Sequence, residues 1–246
     1  MKVLTSAVCV LSFIVSSTCT IPSYIKICPP NEKYAECVIS AVNNLRKTLT
    51  TGIEELNIPP MEPLYLGQVS FPNRQAGLAT NLTNLKVTGA SGFEIIKLVP
   101  TLTKRGHTFR IEARVPKIHA EGEYEVNTKF LQLELNGSGP FTADIEDYHF
   151  ECMLKGRKTE QDGRTFLRFA KIQCHTVIGK SSIYLHNLFK GNSVLEKATN
   201  QAISENSDQL FKEVWPEIGN ALSDKFTEIA NKITVSFNYD ELFPNI

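Results

Sequence analysis

Between residues 193 and 233 apolar side chains recur at three- and four-residue steps. They run from Leu195 through Ala198, Ala202, Ile203, Leu210, Phe211, Val214, Trp215, Ile218, Leu222, Phe226 and Ile229 to Ile233. Such steps mark an amphipathic helix. At about 100° per residue, however, the stripe does not hold one line but turns steadily along the segment. A helix laid on a flat sheet keeps one face down. A rotating face needs partners that turn with it, so the rest of the chain must curl around this segment. Ser193 is the expected N-cap. Pro216 argues for some break, because it lacks an N–H and crowds the preceding turn. Two shorter helices are the alternative; one long, kinked helix of about 40 residues, about 60 Å in length, is the expectation.

The preceding chain supplies the wrap. From Leu64 to about Leu188 short segments alternate apolar and other residues, among them Leu64–Leu66, Leu85–Val87, Phe109–Val115, Leu131–Leu135, Phe166–Ile172 and Ile183–Leu185. Turn signals separate them at Gly89, Gly92, Arg105-Gly106, Gly122, Asn136-Gly137 and Asp162-Gly163. Short connections imply antiparallel neighbours. Ahead of the strands, residues 31–50 read as a helix, with Asn31 as N-cap and Gly52 at its end. Pro59, Pro60 and Pro63 then fix an extended crossing. The predicted fold is α+β: an elongated, strongly curved antiparallel sheet wrapped around a long C-terminal α-helix. Where sheet and helix do not touch fully, an apolar tunnel is enclosed.

Residues 1–20 have the form of a secretory signal: Lys2, then the apolar run Val3–Val15, then small residues to Thr20. The run is too short to span a bilayer of about 30 Å, so a secreted protein without stable membrane insertion is expected, its single domain covering 21–246. Cys9 and Cys19 lie in the leader. The remaining Cys28, Cys37, Cys152 and Cys174 form an even set suited to disulfides. Cys28 and Cys37 bracket the start of the first helix. Cys152 and Cys174 flank a hairpin turning at Asp162-Gly163, and a one-residue bulge brings them opposite each other. The predicted bridges are therefore Cys28–Cys37 and Cys152–Cys174. Asn81 and Asn136 head glycosylation sequons.

The 246 residues carry 26 basic and 26 acidic side chains. Zero net charge lacks the basic footprint of a nucleic-acid binder, and loss of Lys2 with the leader changes it only to −1. None of His107, His119, His149, His175 and His186 forms a close metal pair, no hydrolase elbow is present, and Gly179-Lys180-Ser181 has Cys174 where a phosphate loop needs glycine. No catalytic residue, metal or cofactor is assigned.

The chain resembles the insect takeout and juvenile-hormone-binding protein family, of the TULIP lipid-binding superfamily. The resemblance rests on Cys28 and Cys37, on Gly52-Ile-Glu-Glu-Leu-Asn-Ile-Pro-Pro-Met-Glu-Pro-Leu64, on Leu85–Phe93, on Leu185–Asn192 and on the tail Tyr239–Pro244. Glu62 stands where the family usually has Asp, and the second cysteine pair departs from the usual spacing. The resemblance implies a secreted, non-enzymatic carrier of hydrophobic small molecules, with juvenile-hormone-like terpenoids and fatty-acid-like chains as ligands and links to circadian output; a monomer is expected.

Apolar surface then defines the candidate ligand contacts: Val38, Val42 and Leu45 on the first helix; Phe211, Trp215, Leu222 and Phe226 on the last; Phe141 and Phe150 on the sheet. A Tyr or Ser hydroxyl is expected to meet a polar group of the ligand, and Tyr148 and Tyr124 are both candidates between which the sequence does not choose. The alternative is a secreted signalling or interaction protein of the same fold, docking a receptor through Phe237, Leu242 and Phe243.

Overall fold

The computed structural model describes residues 21–71, 79–130 and 133–246. The leader expectation for residues 1–20 lies outside them. The elements in chain order are α1 (Tyr34–Thr51), β1 (Leu64–Phe71), β2 (Ala79–Thr88), β3 (Glu94–Thr103), β4 (Gly106–Phe130), β5 (Leu133–Gln161), β6 (Arg164–Phe169), β7 (Gln173–Leu185), α2 (Ser193–Glu205), α3 (Ser207–Val235) and α4 (Tyr239–Leu242).

The spine is the antiparallel pair β4–β5, with strands of 25 and 29 residues paired from Gly106↔Arg157 to Phe130↔Leu133. Each outer edge of this pair is shared by two strands. On β4, β3 covers one end and β2 the other, and β1 extends β2; on β5, β6 covers one end and β7 the other. Right-handed strand twist accumulates over such a length. The sheet curls into a half-barrel whose inner face packs against α3.

Gly122 and Asn136-Gly137 are not turns: all three lie inside the spine. A Cβ on Gly122 would come within 2.8 Å of the Thr83 carbonyl oxygen and 3.0 Å of the Phe141 ring, and one on Gly139 within 2.6 Å of the His186 carbonyl oxygen. These glycines serve close approach of neighbouring chain, not reversal. Asp162-Gly163 does reverse the chain, with both residues at positive φ and Gln161 opposite Arg164. No bulge follows within that hairpin. Residues 170–172 leave the sheet and the chain re-enters as β7, one residue out of the β5–β6 register, with Cys174 directly opposite Cys152. Disulfides join Cys152 to Cys174 and Cys28 to Cys37.

The helix ends differ from expectation. Asn31 is not the N-cap of α1; its side chain accepts the Lys33 N–H at 2.9 Å and its carbonyl accepts that of Tyr34, a turn that delays the helix to Tyr34. Gly52 closes α1 at φ +85. Asn192, not Ser193, caps α2 by accepting the Leu195 N–H. The expected single long helix is two: the chain breaks at Asn206, whose side chain turns back to the Ala202 carbonyl while its own carbonyl starts α3. Pro216 lies within the 29-residue α3 without ending it. Pro216 and Lys212 are both exposed, so the gap that proline leaves in the helical hydrogen-bond ladder falls on the exposed side of α3.

The rotating stripe now has a physical meaning, because α2 and α3 serve four apolar clusters on different sides. Ile203, Leu210, Ile218, Leu222 and Phe226 pack into the central cluster with Leu64, Leu85, Tyr124, Phe141 and Leu188. Phe211 and Trp215 face another part of the sheet. Ile229 and Ile233 meet Ile53, Leu56, Ile58 and Phe237. Ala230 reaches the cluster of Tyr34, Phe109, Leu167 and Tyr239. Leu195, at the start of the stripe, is 49% exposed.

Two asparagines pin the helices to the sheet. Asn200 of α2 accepts the Leu185 N–H and donates to the Leu185 carbonyl, both at 2.8 Å. Asn231 of α3 does the same to Phe169, at 2.7 and 3.0 Å, and the Thr227 hydroxyl accepts the Ile172 N–H. Each amide offers the end of an edge strand the donor and acceptor that a further strand would supply. Glu62 likewise accepts the N–H groups of Gly89 and Ser91, at 2.9 and 2.7 Å.

The C-terminal segment is spent on the core. Phe237 and Tyr239 are each 1% exposed, and Leu242 and Phe243 pack against the clusters. The receptor-docking role considered for Phe237, Leu242 and Phe243 therefore has little free surface to use. Buried His107 meets the Tyr239 hydroxyl through Nε2 at 2.8 Å, while Lys158 sits 4.0 Å over the Tyr239 ring and 3.9 Å from Asp240.

Replacing Asn200 with Ala leaves both backbone groups of Leu185 without those partners and should lower unfolding free energy by about 1–3 kcal/mol in urea titrations. An unchanged midpoint would remove the pin. Burial above all, and then the Lys158 cation, hold the His107 imidazolium below its ordinary value of 6.5, against an opposing backbone hydrogen bond. Its stability contribution is complete above 6.5 and is lost as pH falls through the depressed folded value. The urea midpoint should drop between pH 7 and pH 5, and His107→Phe should remove part of that drop; a drop of equal size in the variant would assign it elsewhere.

Candidate functional site

The inner face of the spine opposite the first half of α3 carries an aromatic group. Val115 and Tyr148 are cross-strand neighbours, as are Ile118 and Ile145, and Ile178 of β7 lies opposite Tyr148. Opposed residues in antiparallel strands share a face. On α3, Phe211 and Trp215 stand four residues apart, one turn above the other, and complete the cluster with Phe93 and Phe150. The Tyr148 ring lies 5.3 Å from Trp215 and 5.7 Å from Phe150.

This apolar setting contains two hydroxyls with nothing to bind among the described residues. Tyr148 is 8% exposed; burial alone drives its phenol far above the ordinary range, and no hydrogen bond contributes. Ser181 Oγ is buried without a partner, on the strand position opposite Ile145 and so on the same inner face. A polar atom buried in such surroundings costs free energy unless a hydrogen bond is formed, and that cost falls on Ser181 Oγ. Tyr124 differs. Burial raises it to about 12, but its hydroxyl already donates to the His186 carbonyl at 2.6 Å, which ties the crossing after β7 to the spine.

The ten sequence-derived candidates do not line one cavity. Tyr148, Phe150, Phe211 and Trp215 come together. Phe141, Leu222 and Phe226 belong to the adjacent central cluster, and Val38 to the cluster around Tyr34 and Phe109. Val42 and Leu45 are half-buried and join none of the four clusters. Sequence reasoning missed Ser181, whose facing is set by pairing with a residue 36 positions earlier. Nothing near it in the chain signals that.

Inside the wrap, sheet and helix meet through side chains of these clusters. Two open clefts lie elsewhere: one of about 330 Å³ beside α2, lined by Thr142, Tyr184 and Lys197, and one of about 660 Å³ lined by Lys86, Glu121, Glu123 and His186. The polar outer face of the spine is laced with exposed ion pairs, including Lys117–Glu146 and Arg110–Glu151, each worth little on its own. Among the described residues no group of three His, Cys, Asp or Glu side chains is placed to hold a metal, and no helix is long and apolar enough to cross a membrane. Asn136 is exposed, and Asn81 is half-buried in β2 opposite Ser70 and Glu125.

Comparison with known proteins places this architecture. The solved structure of Takeout 1 from Epiphyas postvittana aligns with a TM-score of 0.78 at 19% identity, covering 90% of this chain and 100% of that one. The circadian clock-controlled protein daywake of Drosophila yakuba is 22% identical over 232 residues, covering 90% of this chain and 88% of its own length. A candidate β-carotene-binding protein of Schistocerca gregaria is 24% identical over 209 residues, covering 84% and 82%. The family model for haemolymph juvenile hormone binding proteins matches residues 4–244, nearly the whole sequence. With its curled half-barrel, long C-terminal helix and this match, the chain belongs to the haemolymph juvenile hormone binding protein family.

Proposed function

We propose that this protein is a secreted, non-enzymatic carrier that holds a hydrophobic small molecule, a juvenile-hormone-like terpenoid or a fatty-acid-like chain, between the curled sheet and α3. The observation that carries the reading is the apolar cluster of Tyr148, Phe150, Phe211 and Trp215, whose Tyr148 hydroxyl has no hydrogen-bond partner among the described residues. Family membership supports it, as does the name of the locust relative. The leader-like residues 1–20 and the two disulfides favour an extracellular fluid as the place of action.

The energetics are adequate. Each buried CH₂ contributes about 0.8 kcal/mol, so about ten give about 8 kcal/mol before ordering costs, near micromolar affinity. The ligand enters an apolar tunnel by displacing side chains that otherwise meet across the wrap. Tyr148 donates a hydrogen bond to an ester, epoxide or carboxyl oxygen, with Ser181 beside the same wall. The protein acts as a monomer.

Trp215 is the single tryptophan of the chain and lies in the proposed site. Delipidated protein should bind a fluorescent fatty probe, release it to a terpenoid ester or a long-chain acid at about micromolar concentration, and change its Trp215 emission in step. Absence of both signals across such ligands would end the carrier reading. Tyr148→Phe should leave unfolding free energy within about 1 kcal/mol, having broken no protein hydrogen bond, yet weaken ester binding about fivefold to tenfold. Unchanged ester affinity would reject Tyr148 as the anchor.

A further inference from the structure

Helix α1 lies against β3 and the turn at 90–92. Val42, Leu45 and Leu49 form one stripe along it, and Arg46 falls within that stripe, one turn from both Val42 and Leu49. An arginine there ordinarily lays its stem on apolar surface and sends its head into water. Arg46 does not. Its guanidinium lies over the Phe93 ring, 4.6 Å from the centroid, and Phe93 packs against the Tyr148–Trp215 cluster. Arg46 Nε is buried with no hydrogen-bond partner, and one terminal nitrogen donates to Asn43 Oδ1 at 2.6 Å. Among the described residues no Asp or Glu forms an ion pair with it.

Two deficits therefore sit together. The buried Arg46 Nε lacks an acceptor among the described residues, which costs free energy. Beside it, Val42 and Leu45 are half-buried but packed into none of the four clusters. An alkyl chain ending in a carboxylate supplies what each lacks: methylenes for Val42 and Leu45, and two oxygens matching the planar fork of the guanidinium. A neutral ester offers an acceptor but no charge, so it compensates the guanidinium less well.

We infer that Arg46 is the head-group anchor for an aliphatic carboxylate, so that the carrier takes long-chain free acids in preference to their esters. The inference rests on the carrier reading and names the ligand class within it.

The test compares oleate with methyl oleate at pH 8, by displacement of a neutral fluorescent fatty probe from the purified protein, for the wild type, Arg46→Gln and Arg46→Lys. The wild type should bind oleate at least about tenfold more tightly than methyl oleate; Arg46→Gln should erase that preference by weakening oleate alone, and Arg46→Lys should keep part of it. An acid-to-ester ratio unchanged in Arg46→Gln overturns the anchor while leaving the carrier standing. Binding of neither ligand by the wild type overturns both. Should Arg46→Gln fail to fold, the wild type decides. The carboxyl carbon of bound [1-13C]oleate should titrate below the ordinary carboxylate range, because the cation favours the charged form. A midpoint at or above that range overturns the anchor.

Discussion

The long ladder between β4 and β5 is the constraint on which the rest of the molecule depends. Its pairing is continuous apart from a one-residue irregularity beside Val115, across strands of 25 and 29 residues. Twist over that length cannot be relieved by a turn, so it becomes curl. Curl divides each outer edge between two shorter strands, gives the sheet one concave face, and requires whatever fills that face to change direction along its length. The four apolar clusters that α2 and α3 meet along their length are the packing solution to that requirement.

The same geometry separates the two chemistries of the sheet. Outward positions of the spine pair opposite charges in water, as at Arg110–Glu151 and Lys117–Glu146. Inward positions are mostly apolar; among the described residues His107 Nδ1, Ser181 Oγ and, from α1, Arg46 Nε are buried without a hydrogen-bond partner, and the Tyr148 hydroxyl bonds to none of them. Selectivity for a cargo can therefore reside in very few groups, each set against a background that offers shape and apolar area alone. A chain with no net charge has little long-range field to steer an ion, so recognition is deferred to contact.

Much of this was legible in the residues. Period-two alternation identified the strands, and rotation of the apolar stripe required a partner that curls. The Asp162-Gly163 turn placed Cys152 near Cys174. What was not legible depended on partners distant in sequence. Gly122 resembled a turn because a glycine has the same local appearance whether it reverses a chain or admits a neighbour's backbone. Pro216 looked like the helix break, but its exposed setting let the helix pass, and the break fell at Asn206, whose amide returns to Ala202. Of the site, the aromatic members were visible as apolar residues, whereas their division into separate clusters follows from cross-strand register that no local pattern encodes.

The asparagine pins have a consequence for conditions outside the folding tube. The grip of α2 on Leu185 and of α3 on Phe169 is made by amides against main chain. Amides do not titrate, and buried dipole contacts are hardly screened by dissolved ions. Those two attachments are therefore insensitive to acidity and salinity, and the helices stay held at the same two points whatever the composition of the surrounding solution.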